Sequence, residues 1–345
     1  QTDTDGDDIG DTCEVQPSGP TCADSNAAFE TLQPNLYILL DKSGSMGGQK
    51  WNDATAAIDT IATDLHDEAR IGLGIFPTRT GSCGAENRLS VGNNSEAAIQ
   101  GAIRQNGTLI NPGGSTPTDD AMSLVAYGST NPGGNPNVNN NLLTDSSDPL
   151  DSNRSKAVVF IADGGTSGCS SSHSDAVSYA ADLASVGIKT YVVGFGSGVN
   201  ANQLRQLAAA GQTDADPSTG QADYYVASNA STLVNVLRNI ATNIISCDYT
   251  ITPDPANPID PNKLWVSYTI SGSTTDVPPS GFVYDSTTNA LSIQDPYCSA
   301  IESGDPSTTT IDIVAGCADS CPPNNGEVCD NIDNDCDGTV DEGCS

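Results

Sequence analysis

Residues 35–46 read NLYILLDKSGSM. The segment 35–40 is short and nearly all apolar, the pattern of a strand covered on both faces, as strands of parallel sheets are. It stops abruptly at Asp41, Ser43, Gly44 and Ser45. Such residues close turns, but carboxylate and hydroxyl oxygens also suit a hard cation. The rest of the chain decides between the two.

Downstream, helical and strand patterns alternate. From Trp51 to Glu68, the residues Ala54, Ala57, Ile58, Ile61 and Leu65 fall on one helical face. RIGLGIF (70–76) reads as a strand, Ser95–Gln105 as a short helix, and Thr118–Ala126 as another with Thr118 as N-cap. The Gly/Pro/Asn-rich stretch 128–153 reads as a surface loop. KAVVFIA (156–162), IKTYVVGFG (188–196) and DYYVAS (223–228) read as strands, and 175–186, 202–210 and 230–245 as helices. Repeated strand–helix units imply right-handed crossovers, hence an α/β fold with a doubly wound, mostly parallel sheet over 34–246. Residues 247–317 differ. KLWVSYTIS (263–271) alternates, SGFVYD and NALSIQD flank a hairpin turn, and TTTIDIVAG (308–316) is a further strand. A small all-β domain is expected there.

The bulk composition narrows the function. The chain has 345 residues, 44 acids against 12 bases, and a formal charge of −32. Such a charge repels nucleic acid and anionic membranes. No run of about 18 apolar residues is present, so no membrane insertion is expected. Eleven cysteines in Gly/Ser/Asn-rich loops and acidic tails point to disulfides and an oxidising, extracellular setting. Nothing points to catalysis. His66 and His173 lie in a helical face and a Ser-rich loop, and Ser43 lacks a G-x-S-x-G setting.

In a doubly wound sheet, ligands bind beyond the carboxyl ends of the strands. Three such loops carry oxygen donors here: Asp41, Ser43 and Ser45 after the first strand; Thr116 in NPGGSTPTDDA; and Asp163 closing KAVVFIAD. These are hard ligands, fitted to Mg²⁺, Mn²⁺ or Ca²⁺ rather than to zinc. In order and spacing, DxSxS, the loop threonine and the strand-final ADG resemble the metal-ion-dependent adhesion site of von Willebrand factor A domains. That resemblance covers about residues 34–246. It implies hydroxyl ligands from Ser43, Ser45 and Thr116, and carboxylates Asp41 and Asp163 acting directly or through water. One position would stay open for a carboxylate on a protein or matrix partner.

Both ends of the chain are acidic. In CDNIDNDCDGTVDEGC (329–344), Asp333, Asp335, Asp337 and Gly338 match the start of an EF-hand-type loop, with Asp341 and Glu342 as late carboxylates. This stretch resembles the Cys/Asp-rich metal-binding repeats of bacterial surface proteins, so region 318–345 is expected to bind Ca²⁺. In region 1–22, Asp3, Asp5, Asp7 and Asp11 resemble a thrombospondin type 3 calcium repeat, with Asp8 where Gly is usual. Among the cysteines, Cys83 and Cys169 belong on the rim of the metal site and are expected to pair. Cys13 is expected to pair with Cys22, and Cys247 with Cys298 or Cys317. The chain is thus expected to be a secreted, non-enzymatic surface protein that grips a partner through a cation. The alternative is a subunit of an extracellular fibre or coat, joined to copies of itself through calcium-bound tails and disulfides.

Overall fold

The computed structural model describes residues 29–128, 142–244, 247–251, 259–302, 304 and 308–317. The chain divides into two compact units, one of residues 32–248 and one of residues 1–31 with 249–345.

The larger unit is built on a six-stranded sheet. Its strands are β1 (Asn35–Asp41), β2 (Arg70–Phe76), β3 (Glu86–Leu89), β4 (Lys156–Ala162), β5 (Lys189–Phe195) and β6 (Tyr225–Ala227). The order across the sheet is β3-β2-β1-β4-β5-β6. All neighbours run parallel except β3, which pairs antiparallel with β2. Helices α1 (Gln49–Leu65), α2 (Glu96–Ala102), α3 (Thr118–Tyr127), α4 (His173–Ser185), α5 (Ala201–Ala210) and α6 (Ala230–Asn243) connect the strands.

Every residue of β1 is buried, because successive side chains point to opposite faces and both faces are covered. Leu36, Ile38 and Leu40 pack with Trp51, Ile58 and Ile61 of α1 and Leu233, Leu237 and Ile240 of α6. Tyr37 and Leu39 pack on the other face with Val125 of α3, Ala180 of α4 and Leu204 of α5. There Phe76 and Phe160 stack with ring centroids 5.1 Å apart. The chain builds from β1 to one side through β2 and to the other through β4, so the strand order reverses at β1. The crevice at such a reversal is where open sheets bind ligands.

Four local expectations change in the larger unit. Edge strand β3 is absent from the sequence reading: it has four residues, and only its antiparallel pairing with β2 makes it a strand. The helix expected over 95–105 ends at Ala102 and gives way to a small hairpin, Arg104–Gln105 with Thr108–Leu109. Thr118 is the first helical residue of α3 and not its cap; the N-cap is Pro117, with no side-chain cap bond. Residues 142–153 are not a free surface loop. Leu142 and Leu143 are buried, and Asp145, Asp148 and Asp151 meet Arg70, Arg154 and Lys156 beneath the sheet. Asn35 Nδ2 donates to Asp151 Oδ1 (2.8 Å) and to the Leu143 carbonyl (3.0 Å).

The smaller unit carries β7 (Asp248–Ile251), β8 (Ile259–Ile270), β9 (Ser273–Val277), β10 (Phe282–Asp285), β11 (Ala290–Ile293) and β12 (Thr309–Cys317). β8 pairs antiparallel with β9 and β12. The short strand Phe29–Thr31 pairs antiparallel with β7, and β10 forms a hairpin with β11. Leu264, Val266 and Tyr268 are buried in the alternation expected for β8. The region is not purely β, since α7 spans Tyr297–Glu302.

The guanidinium of Arg70 is buried against Asp145 and Asp148. Removing one partner of a buried ion pair strands the other charge, so Arg70→Ala should cost about 3–5 kcal/mol in urea unfolding. Val186→Ser, at an exposed position, should stay within about 0.5 kcal/mol. Equal effects would mean that the acidic segment merely decorates the sheet.

Candidate metal centre

The three expected loops meet above the carboxyl ends of β1 and β4. Asp41 is the last residue of β1, and Asp163 follows β4 directly. Asp41, Ser43, Thr116 and Asp163 are 0%, 1%, 4% and 2% exposed, so the acids face almost no water. Ser45 is exposed. The Ser43 N–H donates to Asp41 Oδ1 at 2.7 Å. The hydroxyls of Ser43 and Ser45 lie 3.0 Å apart, and Ser45 Oγ donates to Asp163 Oδ1 at 2.7 Å. One chain of contacts therefore joins the DxSxS loop to the end of β4.

The Thr116 loop is tied to both neighbours. The Gly44 N–H donates to the Gly114 carbonyl (3.0 Å), and the Gly113 N–H to the Lys42 carbonyl (2.6 Å). Lys42, itself buried, extends Nζ to the Gly113 carbonyl at 3.0 Å. On the other side Thr116 and Ser167 exchange backbone hydrogen bonds (3.0 and 3.1 Å). Ser167 Oγ also donates to Thr116 Oγ1 at 3.3 Å. Gly114 has φ +92°, and a Cβ there would lie 2.8 Å from both Pro77 Cγ and Ser82 Cα, so the turn accepts only glycine.

The Cys83–Cys169 disulfide joins the loop after β2 to the loop after β4, with Cα atoms 5.6 Å apart. Beside it, the Ser115 N–H donates to the Ser82 carbonyl (3.0 Å) and the Ser172 N–H to Asp119 Oδ2 of α3 (2.9 Å). Cys247 and Cys298 are each disulfide-bonded. Cys317 closes β12. Cys13 and Cys22, and the acids Asp3, Asp5, Asp7, Asp11, Asp333, Asp335, Asp337, Asp341 and Glu342, lie outside the described residues.

The electrostatics of the site are unfinished without a cation. Burial pushes the Asp41 carboxyl up to about 7, and the nearby charge of Asp163 adds to the rise while the Ser43 N–H opposes it. Among the described residues, Asp41 Oδ2 has no hydrogen-bond partner. A dehydrated carboxylate oxygen near a second carboxylate and the Ser43 and Ser45 hydroxyls, with the Thr116 hydroxyl on the adjoining loop, is a donor set for a small divalent ion. The residues therefore fit such an ion. Asp41, Ser43, Ser45, Thr116 and Asp163 would hold it, and bound there it would supply a Lewis-acidic coordination position for an external oxygen.

The sequence reading missed one participant. Lys50 Nζ lies 2.5 Å from Asp163 Oδ2. A signal was present: Lys50 is the second residue of α1, and the first turn of a helix is electrostatically unfavourable for a cation. A lysine there needs a partner other than its own helix.

The family model described as von Willebrand factor type A domain matches residues 35–238. The chain belongs to this family. Among solved structures it is similar to proximal thread matrix protein 1 of the mussel byssus (18% identity, 64% of this chain, 50% of that one, TM-score 0.41). Another crystal of that byssus protein has a zinc-occupied MIDAS motif. It is also similar to a von Willebrand factor type A protein of Catenulispora acidiphila (13%, 85%, 62%, TM-score 0.46). A third is the pilus adhesin SpaC of Lactobacillus rhamnosus GG, open conformation (14%, 84%, 39%, TM-score 0.45). The chain thus spans less than two thirds of each of these relatives. No curated protein matches it.

A carboxyl whose folded-state pKa is raised binds its proton more tightly folded than unfolded. The contribution of Asp41 to metal-free stability therefore falls as pH climbs from 3.8 through about 7. In EDTA at pH 8, Asp41→Asn should be more stable to unfolding than the wild type, by on the order of 1–3 kcal/mol. It should also lose the stabilisation that Mg²⁺ gives the wild type. A metal-free Asp41→Asn protein less stable than the wild type at pH 8 would refute this account of the site.

Proposed function

We propose that this domain is a non-enzymatic, extracellular binding module. It grips a protein or matrix partner through a divalent cation, Mg²⁺ or Mn²⁺ with Ca²⁺ as alternative, held by Asp41, Ser43, Ser45, Thr116 and Asp163. The observation that carries the reading is the orphaned, buried Asp41 Oδ2 beside the Ser43–Ser45–Asp163 chain. Two carboxylates and neutral hydroxyls give a divalent ion few anionic ligands, so it draws in an external carboxylate. An Asp or Glu side chain of the partner is the natural last ligand. The disulfides support an oxidising location. Among the described residues no helix is long and apolar enough to cross a membrane. The charge of −32 disfavours nucleic acid as a partner.

The test is selection from a displayed random-peptide library with Mg²⁺ present. Recovered peptides should be enriched in Asp and Glu, elute with EDTA, and bind the Asp41→Ala variant at least about a hundredfold more weakly. Peptides without acidic enrichment, or binding unchanged by both EDTA and Asp41→Ala, would overturn the reading.

The acidic tails carry the second part of the proposal: calcium orders them, and the stiffened tails position the binding module or join copies of it. This is the fibre or coat reading, and it rests on the Asp333/Asp335/Asp337 and Asp3/Asp5/Asp7 spacing. Calorimetric Ca²⁺ titration of a doubly substituted Asp335→Ala, Asp337→Ala chain should show one calcium fewer than the wild type. Unchanged stoichiometry would remove the C-terminal site.

A further inference from the structure

The chain has 12 bases among 345 residues, and one of them is spent inside the metal centre. Lys50 does more there than decorate a helix start. The Asp163 side chain is fully buried, and both of its oxygens are engaged, Oδ1 by Ser45 Oγ at 2.7 Å and Oδ2 by Lys50 Nζ at 2.5 Å. The lysine stem is guided to this point. Gly196 has φ +80°, and a Cβ on it would lie 3.0 Å from Lys50 Cε, so the glycine leaves the track on which the side chain runs. At the end of that track a second acceptor waits, the Ser197 carbonyl, 3.5 Å from Nζ.

Resting on the metal-centre reading above, we propose that Lys50 is an internal counter-cation that competes with the divalent ion for Asp163 and so sets the metal affinity of the site. Without metal, its single charge offsets the buried Asp163 carboxylate, while Asp41 Oδ2 is left without a hydrogen-bond partner among the described residues. With metal, ammonium and ion are like charges facing the same carboxylate, and the ammonium gives way toward the Ser197 carbonyl. The lysine thereby ties the start of α1 to the loop after β4 in the metal-free protein and weakens binding of the metal that replaces it. The loop after β5, which carries Ser197, senses the exchange.

The experiment titrates Mg²⁺ by calorimetry into the full chain as wild type, Lys50→Gln, Lys50→Met, Lys156→Met and Asp41→Ala, with melting curves in EDTA and in Mg²⁺. Lys156 pairs with Asp151 at the other end of the sheet and controls for the loss of one positive charge. Lys50→Gln removes the charge while keeping a hydrogen-bond donor on a side chain one bond shorter. Both Lys50 variants should bind Mg²⁺ about tenfold more tightly than the wild type, as expected for removing a like charge beside a divalent ion. They should melt lower in EDTA and gain more from Mg²⁺ than the wild type does. Equal Mg²⁺ affinity in wild type and Lys50→Gln, or the same gain in Lys156→Met, would overturn the proposal while leaving the metal centre standing. No Mg²⁺ heat in any of the chains would overturn both.

Discussion

The structure turns on placing two carboxylates, Asp41 and Asp163, out of water at the ends of neighbouring parallel strands. Adjacent strands lie about 4.8 Å apart, close enough for the charges to repel. A fold would not keep such a pair without something positive between them. The Ser43 N–H and the hydroxyls of Ser43 and Ser45 link one acid to the other, Lys50 covers the far oxygen of Asp163, and one oxygen of Asp41 is left over. That remainder is the physical reason to place a divalent ion here.

Holding repelling groups in place demands stiff loops, and the rim of the site is correspondingly overdetermined. The Thr116 loop is pinned on one side by Lys42 and Gly44, bonded to its Gly113 and Gly114, and on the other by the paired backbone of Ser167. The Cys83–Cys169 bond closes the ring through the loop after β2. Cys169 and Ser170 both sit at positive φ (60° and 57°), which non-glycine residues adopt only when their surroundings hold them there. Asp119 of α3 contributes to that restraint by accepting from Ser171 and Ser172. For the proposed role, a coordination position must not collapse before a partner's carboxylate arrives, and these contacts would hold it open.

The periodicities were the most legible part of the sequence. NLYILL and KAVVFIA could only be strands buried on both faces, and the acids closing them had to emerge at the same edge of the sheet. Features set by tertiary partners were not legible. ENRL is too short and polar to read as strand β3, and it becomes one by adding to the edge of β2. The Asp-rich stretch before β4 has the composition of a loop. Its acids are half-buried because Arg154 and Lys156 just downstream and Arg70 at the start of β2 pair with them, and only the folded sheet brings Arg70 there. Lys50 escaped notice because its partner lies 113 residues away.

The charge of the chain bears on how such a site can work. A protein of −32 that recruits a carboxylate faces long-range repulsion from its own surface. At physiological ionic strength that field fades within about 8 Å, whereas coordination to an ion acts at contact. Affinity at this site must therefore come from the last few ångströms: the desolvated ion, the open position and the shape around it. That places a premium on the charge balance within the cluster itself, since any cation already present there subtracts from what the bound metal can offer. Lys50, fixed on Asp163 by its track over Gly196, is the one such cation among the described residues whose ammonium touches a carboxylate of the cluster.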